Sequence, residues 1–193
     1  MIESSHFRQI NEIEKEVISK SLSNISPNYL QILKRSKKKL YISIIESNLK
    51  TEYPTIYLIS DEFLKIINLS VFEDKIYSAG LYFGFIKKGS FYLSLEGAEF
   101  LYRQGILSDL KRIDLNQEGE KSVLYGNNIL KNMVVKAPSN LQKGDFLLIF
   151  NNLNEILAIA QSKVDNKVLQ NLKPNDIIAT NLSDKGIYLR KKQ

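Results

Sequence analysis

The sequence predicts an α+β protein in two parts. An N-terminal α/β domain over residues 1–115 carries a mostly antiparallel sheet flanked by helices, and a small β-barrel follows over residues 116–193. Three observations predict this division. The first part interleaves apolar residues at helical spacing with β-branched and aromatic runs. The polar stretch NQEGEK, residues 116–121, interrupts that pattern and reads as a linker. Beyond it, short strand-like segments alternate with turn-rich pieces, as in a small barrel or sandwich.

Phe7, Ile10, Ile13, Val17 and Leu22 recur at three- to five-residue steps, which predicts an amphipathic helix with Glu16 and Lys20 as an i,i+4 pair. In SPNYLQILKRS, Ser26 is placed to cap a second helix with Pro27 at its first position. KLYISII and TIYLIS are β-branched and aromatic, hence strands. Ser60 then caps a helix, DEFLKIINL, whose Asp61 and Glu62 complement the positive end of its dipole. A strand pair around a Lys-Gly-Ser turn follows in IYSAGLYFGFIKKGSFYLSL, and EGAEFLYRQG closes the first part as a helix. In the second part DFLLIF, EILAIAQS, DIIATNL and GIYLR read as four strands separated by NNLN, KPN and SDKG.

Composition removes several classes of chemistry. The 193 residues include no cysteine and one histidine, His6, so disulfides, thiolate sites and most zinc or imidazole mechanisms are excluded. No nucleophile elbow, phosphate loop or metal-ligand cluster is present; Gly80-x-x-x-Gly84 lacks the Lys-Ser/Thr ending. No enzyme, metal or cofactor is expected. The longest apolar run, DFLLIF, is strand-sized, and the opening residues lack a signal peptide's basic and apolar regions, so no membrane association and a cytoplasmic location are expected. The net charge of +6 favours polyanion partners. Residues 1–115 hold 16 Lys/Arg against 14 Asp/Glu, and residues 116–193 hold 11 against 7, so the excess lies in the second part.

The stretch SVLYGNNILKNMV, residues 122–134, joins these threads. EKSVLYG is long enough for about two helical turns, and Gly126 stands where a left-handed residue ends one. Asn127 and Asn128 tolerate turn geometry before ILKNMVV begins a strand. The corner reads as a glycine cap, and also as one whose backbone N–H groups stay accessible to phosphate or base edges.

A short helix ending in glycine, the KGDFLLIF strand, the ILAIAQS strand and a final strand pair together resemble a PUA domain, a small RNA-binding barrel. SAGLYFGFIKKGSFYLSLEGAEFL, then SVLYGNNILKNMV and DKGIYLR, are similar more specifically to the Nip-seven family of large-subunit ribosome-biogenesis factors, in an order preserved from about Leu58 onward. The resemblance implies a non-catalytic protein that binds pre-ribosomal RNA, single-stranded or uridine-rich, through its PUA domain and acts in pre-rRNA processing. The N-terminal domain would meet ribosome-assembly proteins. The same resemblance places Tyr125, Gly126, Asn127 and Lys131 on the family's helix-end element, and Lys163 after its AIA-type strand. Lys136, Lys167, Lys173 and Arg190 complete the expected RNA-binding set. A monomer is expected. A protein-interaction adaptor and an accessory subunit of an RNA-modifying enzyme stay open as alternatives.

Two features read two ways. Tyr125 is either a base-stacking ring or half-buried packing, whereas Tyr188, among apolar neighbours, reads as packing. The run KRSKKK, residues 34–39, touches RNA or an acidic partner, or is a solvated helix end whose cations suit the dipole.

Overall fold

The computed structural model describes residues 4–23, 25–26, 28–46, 53–66, 76, 78–104 and 111–190. The chain forms two compact units, Met1–Ser108 and Asp109–Gln193, where the sequence alone predicts a boundary between residues 115 and 116.

In the first unit the elements are β1 (Ser4–Gln9), α1 (Glu12–Leu22), α2 (Tyr29–Arg35), β2 (Lys38–Glu46), β3 (Thr55–Ser60), α3 (Asp61–Ile66), β4 (Leu81–Lys87), β5 (Ser90–Leu93) and α4 (Leu95–Arg103). The strands form an antiparallel meander in the order β1-β2-β3-β4-β5. Lys88 and Gly89 both take positive φ, 49° and 72°, as the two-residue hairpin turn between β4 and β5 requires. Ile18, Leu22, Ile32, Leu33, Ala98 and Leu101 bury the inner stripes of α1, α2 and α4. These helices pack on β5, β2 and β4 respectively. Phe7, Tyr41 and Ile59 form a second cluster, with Leu64, Ile76 and Ala79 against it.

The first predicted helix is half wrong. Phe7 lies on a strand, its ring stacked 5.5 Å from Tyr41, and Ile13 is 74% exposed. Asn11 sets the boundary: its side chain accepts from the Glu14 amide, and Glu14 accepts from the Asn11 amide, a capping box that starts the helix at Glu12. The expected Glu16–Lys20 pairing gives way to Arg8–Glu14 and Lys15–Glu12. The second helix starts after Asn28, not Ser26, and Pro27 lies outside the described residues. Ser60 caps α3 as expected, its Oγ accepting from Phe63 N at 3.2 Å; residues 67–69 of that predicted helix lie outside the described residues.

The second unit contains β6 (Lys111–Leu115), α5 (Gln117–Leu124), β7 (Ile129–Leu130), a 3-10 turn (Lys131–Met133), β8 (Val134–Lys136), β9 (Phe146–Phe150), β10 (Ile156–Ser162), α6 (Asn166–Asn171), β11 (Ile177–Asp184) and α7 (Ile187–Arg190). The sheet order is β7-β11-β10-β9-β6-β8, with β6 parallel to β9 and the other pairs antiparallel. Laid flat, six strands would hold their edges about 24 Å apart. Here the edge strands β7 and β8 are joined by three residues, Lys131–Met133, which reach about 14 Å at most. The sheet therefore curls into a barrel. Ile113, Val123, Ile129, Leu147, Ile149 and Ile178 fill it. β9 and β10 are buried nearly end to end, which explains their unbroken apolar sequences.

Three expectations change in this unit. NQEGEK is no linker: Asn116 accepts from Gly119 N at 2.8 Å and starts α5, while residues 111–115 join the barrel sheet. ILKNMVV is no single strand, because Lys131 N and Asn132 N turn to donate to Asp176 O and Pro174 O. GIYLR is a helical turn, not a fourth strand, because Asp184 accepts from Gly186 N at 2.9 Å and folds the chain over.

Candidate nucleic-acid interface

The carboxyl end of α5 closes on glycine. Gly126 N donates to Val123 O at 2.8 Å and Asn127 N to Ser122 O at 3.2 Å, with Gly126 at φ +88°. This is the Schellman arrangement, and Tyr125 N is spent as well, on Lys121 O and Ser122 O. The expectation of accessible backbone N–H groups therefore fails: all three amides of residues 125–127 serve the helix. The corner instead presents side chains. Tyr125 is 76% exposed, which rules out half-buried packing, and Asn127 is exposed with Nδ2 3.2 Å from Ser122 Oγ.

Residues remote in sequence fix this corner. Asn181 donates from Nδ2 to Val123 O, Asn127 O and Asp184 Oδ2, and its amide donates to Asn128 Oδ1 at 3.1 Å. Asp184, 3% exposed at its side chain, receives Arg190 through two bonds of 2.9 Å. Arg190 Nη1 also donates to Leu124 O, an orphan carbonyl at the negative end of α5. The hydrogen bond and charge of Asp184 raise the Arg190 pKa further above its ordinary value, against a smaller effect of desolvation. The sequence places Asn128 in a turn and Asp184 and Gly186 in the SDKG turn, but no local signal marks Asn181 or joins these residues to the corner.

The expected RNA-binding residues fall into separate stations. Lys131, Lys163 and Lys173 are tied by their backbones to the chain entering β11: Lys131 N donates to Asp176 O, Lys163 N to Ile178 O and Lys173 N to the Asp176 carboxylate. Lys167 lies on α6, which spans the loop between β10 and β11. Lys163, Lys167 and Lys173 are exposed and Lys131 is half-buried. Arg190 meets Asp184 at the other end of β11, whereas Asn127, with Tyr125 and Gly126 beside it, meets Asn181 midway along the strand. Lys136, exposed on β8 opposite Asp114, belongs to neither group. The Tyr188 side chain lies outside the described residues.

Two further cations of the barrel are engaged. Lys111 Nζ donates to Asn140 O and Asp145 Oδ2, both at 2.6 Å, and the Arg112 guanidinium, paired with Asp114, lies 4.0 Å from the Phe150 ring centroid. Among the described residues, no cluster of three or more His, Asp and Glu is placed to hold a metal ion, and no helix is long and apolar enough to cross a membrane.

Comparison with known proteins agrees with this architecture. Residues 111–193 match the UPF0113 PUA domain. The chain is 24% identical over 184 residues to the 60S ribosome subunit biogenesis protein NIP7 of Saccharomyces cerevisiae, covering 95% of this chain and 96% of that one. It is 26% identical over 136 residues to the Danio rerio NIP7 homolog, covering 70% and 73%. A PUA-domain crystal structure from Aeropyrum pernix superposes with a TM-score of 0.58 at 15% identity, covering 97% of this chain and 90% of that one, and shares the fold. The barrel unit, residues 111–193, thus matches the UPF0113 PUA domain, within a chain similar along nearly all its length to the yeast NIP7 protein.

Proposed function

We propose that this chain is a non-catalytic RNA-binding factor in assembly of the large ribosomal subunit, gripping pre-ribosomal RNA with its PUA unit and meeting assembly proteins through its N-terminal unit. The observation that carries the reading is the near end-to-end similarity to proteins named for 60S biogenesis. The barrel supplies a physical mechanism. Tyr125 stands 76% exposed on a corner whose amides, carbonyls and buried carboxylate are already paired. An unstacked base would lie on that ring at little ordering cost, since the backbone beneath it is fixed. Lys131, Lys163, Lys167 and Lys173 would neutralise phosphates of the same single strand along β11, with Lys136 on β8 as a separate phosphate contact, and uridine-rich RNA suits a site that reads by stacking and charge. Gly126, Asn127 and Arg190 shape the corner.

Crosslinking the full chain to RNA in cells, followed by sequencing, tests this. Large-subunit rRNA precursors should be enriched over an untagged control, and the chain should sediment with large-subunit precursors. Absence from both would overturn the reading.

A further inference from the structure

The lysine run at residues 34–39 takes no part in the RNA reading. It bends around one wall of a cleft of about 370 Å³ in the first unit, between the end of α2, the start of β2 and the start of α1. Ile10, Leu30, Leu33 and Leu40 supply aliphatic lining, and Lys15, Lys34, Lys37, Lys38 and Lys39 stand against two carboxylates, Glu12 and Asp61. Each carboxylate is already taken, Glu12 by Lys15 at 3.2 Å and Asp61 by Lys39 at 3.1 Å. Among the described residues Lys34, Lys37 and Lys38 have no carboxylate partner, the Lys38 ammonium lying 5.7 Å from the Phe100 ring centroid with its charge unneutralised.

Lys37 follows the end of α2 with φ +51°, the left-handed position that glycine ordinarily takes. A side chain there costs about 1 kcal/mol. The local bonds made by its backbone, Lys37 N donating to Lys34 O and Lys37 O accepting from Asp61 N, would form equally well with glycine. A helix-dipole role accounts for cations at Lys34 and Arg35 in the last turn of α2, but not for a lysine held in a disfavoured conformation at the rim of an apolar cleft.

We propose that this cleft docks an acidic segment of a protein partner, one aliphatic side chain resting on the leucine and isoleucine floor and flanking carboxylates meeting Lys34, Lys37 and Lys38. Charge complementarity selects an anion. The floor selects a peptide over RNA: the cleft lining contains no aromatic ring and no arginine on which a base could stack, whereas burying one leucine or isoleucine side chain contributes about 1.5–3 kcal/mol. The proposal rests on the reading that this unit engages protein, but not on RNA binding by the barrel, so the two fail separately.

The test is fluorescence anisotropy on the full chain with a labelled peptide in which one leucine is flanked by Glu and Asp residues. The same peptide with serine in place of leucine, and oligouridine as competitor, are the controls. The leucine peptide should bind at least about tenfold tighter than the serine peptide. Affinity should fall by a similar factor in the combined Lys34→Gln, Lys37→Gln, Lys38→Gln variant and hold in the barrel variant Lys163→Glu, Lys167→Glu. Leu30→Ser, at a position 41% exposed and thus tolerant of change, should weaken the leucine peptide alone and settles the matter should the triple variant fail to fold. Equal binding of the two peptides, undiminished binding by Leu30→Ser, or no peptide binding would overturn the proposal. Displacement of the peptide by oligouridine, with oligouridine affinity lost in the lysine variant, would assign the cleft to RNA instead.

Discussion

Arg190 holds Asp184 through two parallel bonds of 2.9 Å while its Nη1 also reaches Leu124 O, so one guanidinium ties the end of β11 to the end of α5. Removing it leaves a carboxylate that is 3% exposed with, among the described residues, Asn181 Nδ2 and Gly186 N as donors. Arg190→Ala should lower the melting temperature by several degrees, and Arg190→Lys should recover only part of the loss, because an ammonium cannot reproduce the fork. Thermal melts followed by circular dichroism check this.

Gly126 and Gly186 should differ in their tolerance of alanine. A Cβ at Gly126 would meet the Arg190 guanidinium at 3.1 Å, a side-chain group that need give only a few tenths of an ångström, so Gly126→Ala should cost about 1 kcal/mol, mostly for the left-handed backbone. A Cβ at Gly186 would run into the Leu124 carbonyl itself, which cannot yield without opening the corner. Denaturant unfolding should rank Gly186→Ala well below Gly126→Ala.

Tyr125 gives a prediction free of stability effects. Its ring is 76% exposed, so Tyr125→Ala should leave the melting temperature unchanged. Loss of one stacking contact should weaken single-stranded RNA binding by about 1–3 kcal/mol. Tyr125→Phe should retain most of the affinity.

Much of the fold was legible because its signals were local. The strands at β2, β3, β9 and β10 declared themselves through β-branched and apolar runs, and Gly126 announced the end of α5. Where competing signals were both local, the stronger one was missed: NEIE, residues 11–14, carries a capping box that overrides the helical spacing of Phe7 and Ile10. The corner's supports were not legible at all. Asn181 reaches Asn128 across 53 positions and Arg190 reaches Leu124 across 66, and no window of sequence holds both ends. The failed prediction of free amides at residues 125–127 has the same root, since glycine marks a cap without saying which carbonyls take its N–H groups.

The capping box also sets an acid limit on the first unit. Burial pushes the Glu14 carboxyl up, but the Arg8 hydrogen bonds at 2.7 and 2.9 Å, the Asn11 amide and the Arg8 charge together outweigh it and hold the group below the usual carboxylate range. With the folded value below the unfolded one, the stabilisation is complete above the unfolded carboxylate range and is lost as pH falls through the folded value. Glu14→Gln should thus melt lower than wild type at neutral pH, with the difference shrinking toward acid. A constant difference across pH would show that the charge on Glu14 is not the cause.

The salt dependence of RNA binding tests the central claim most directly. With roughly three to five phosphates engaged, log K for oligouridine should fall against log salt with a slope of about −2 to −3.5. The paired variant Lys163→Glu, Lys167→Glu should bind more weakly with a slope shallower by about 1.4, two contacts' worth. An unchanged slope and affinity in that variant would contradict RNA recognition by the lysine rim of the barrel.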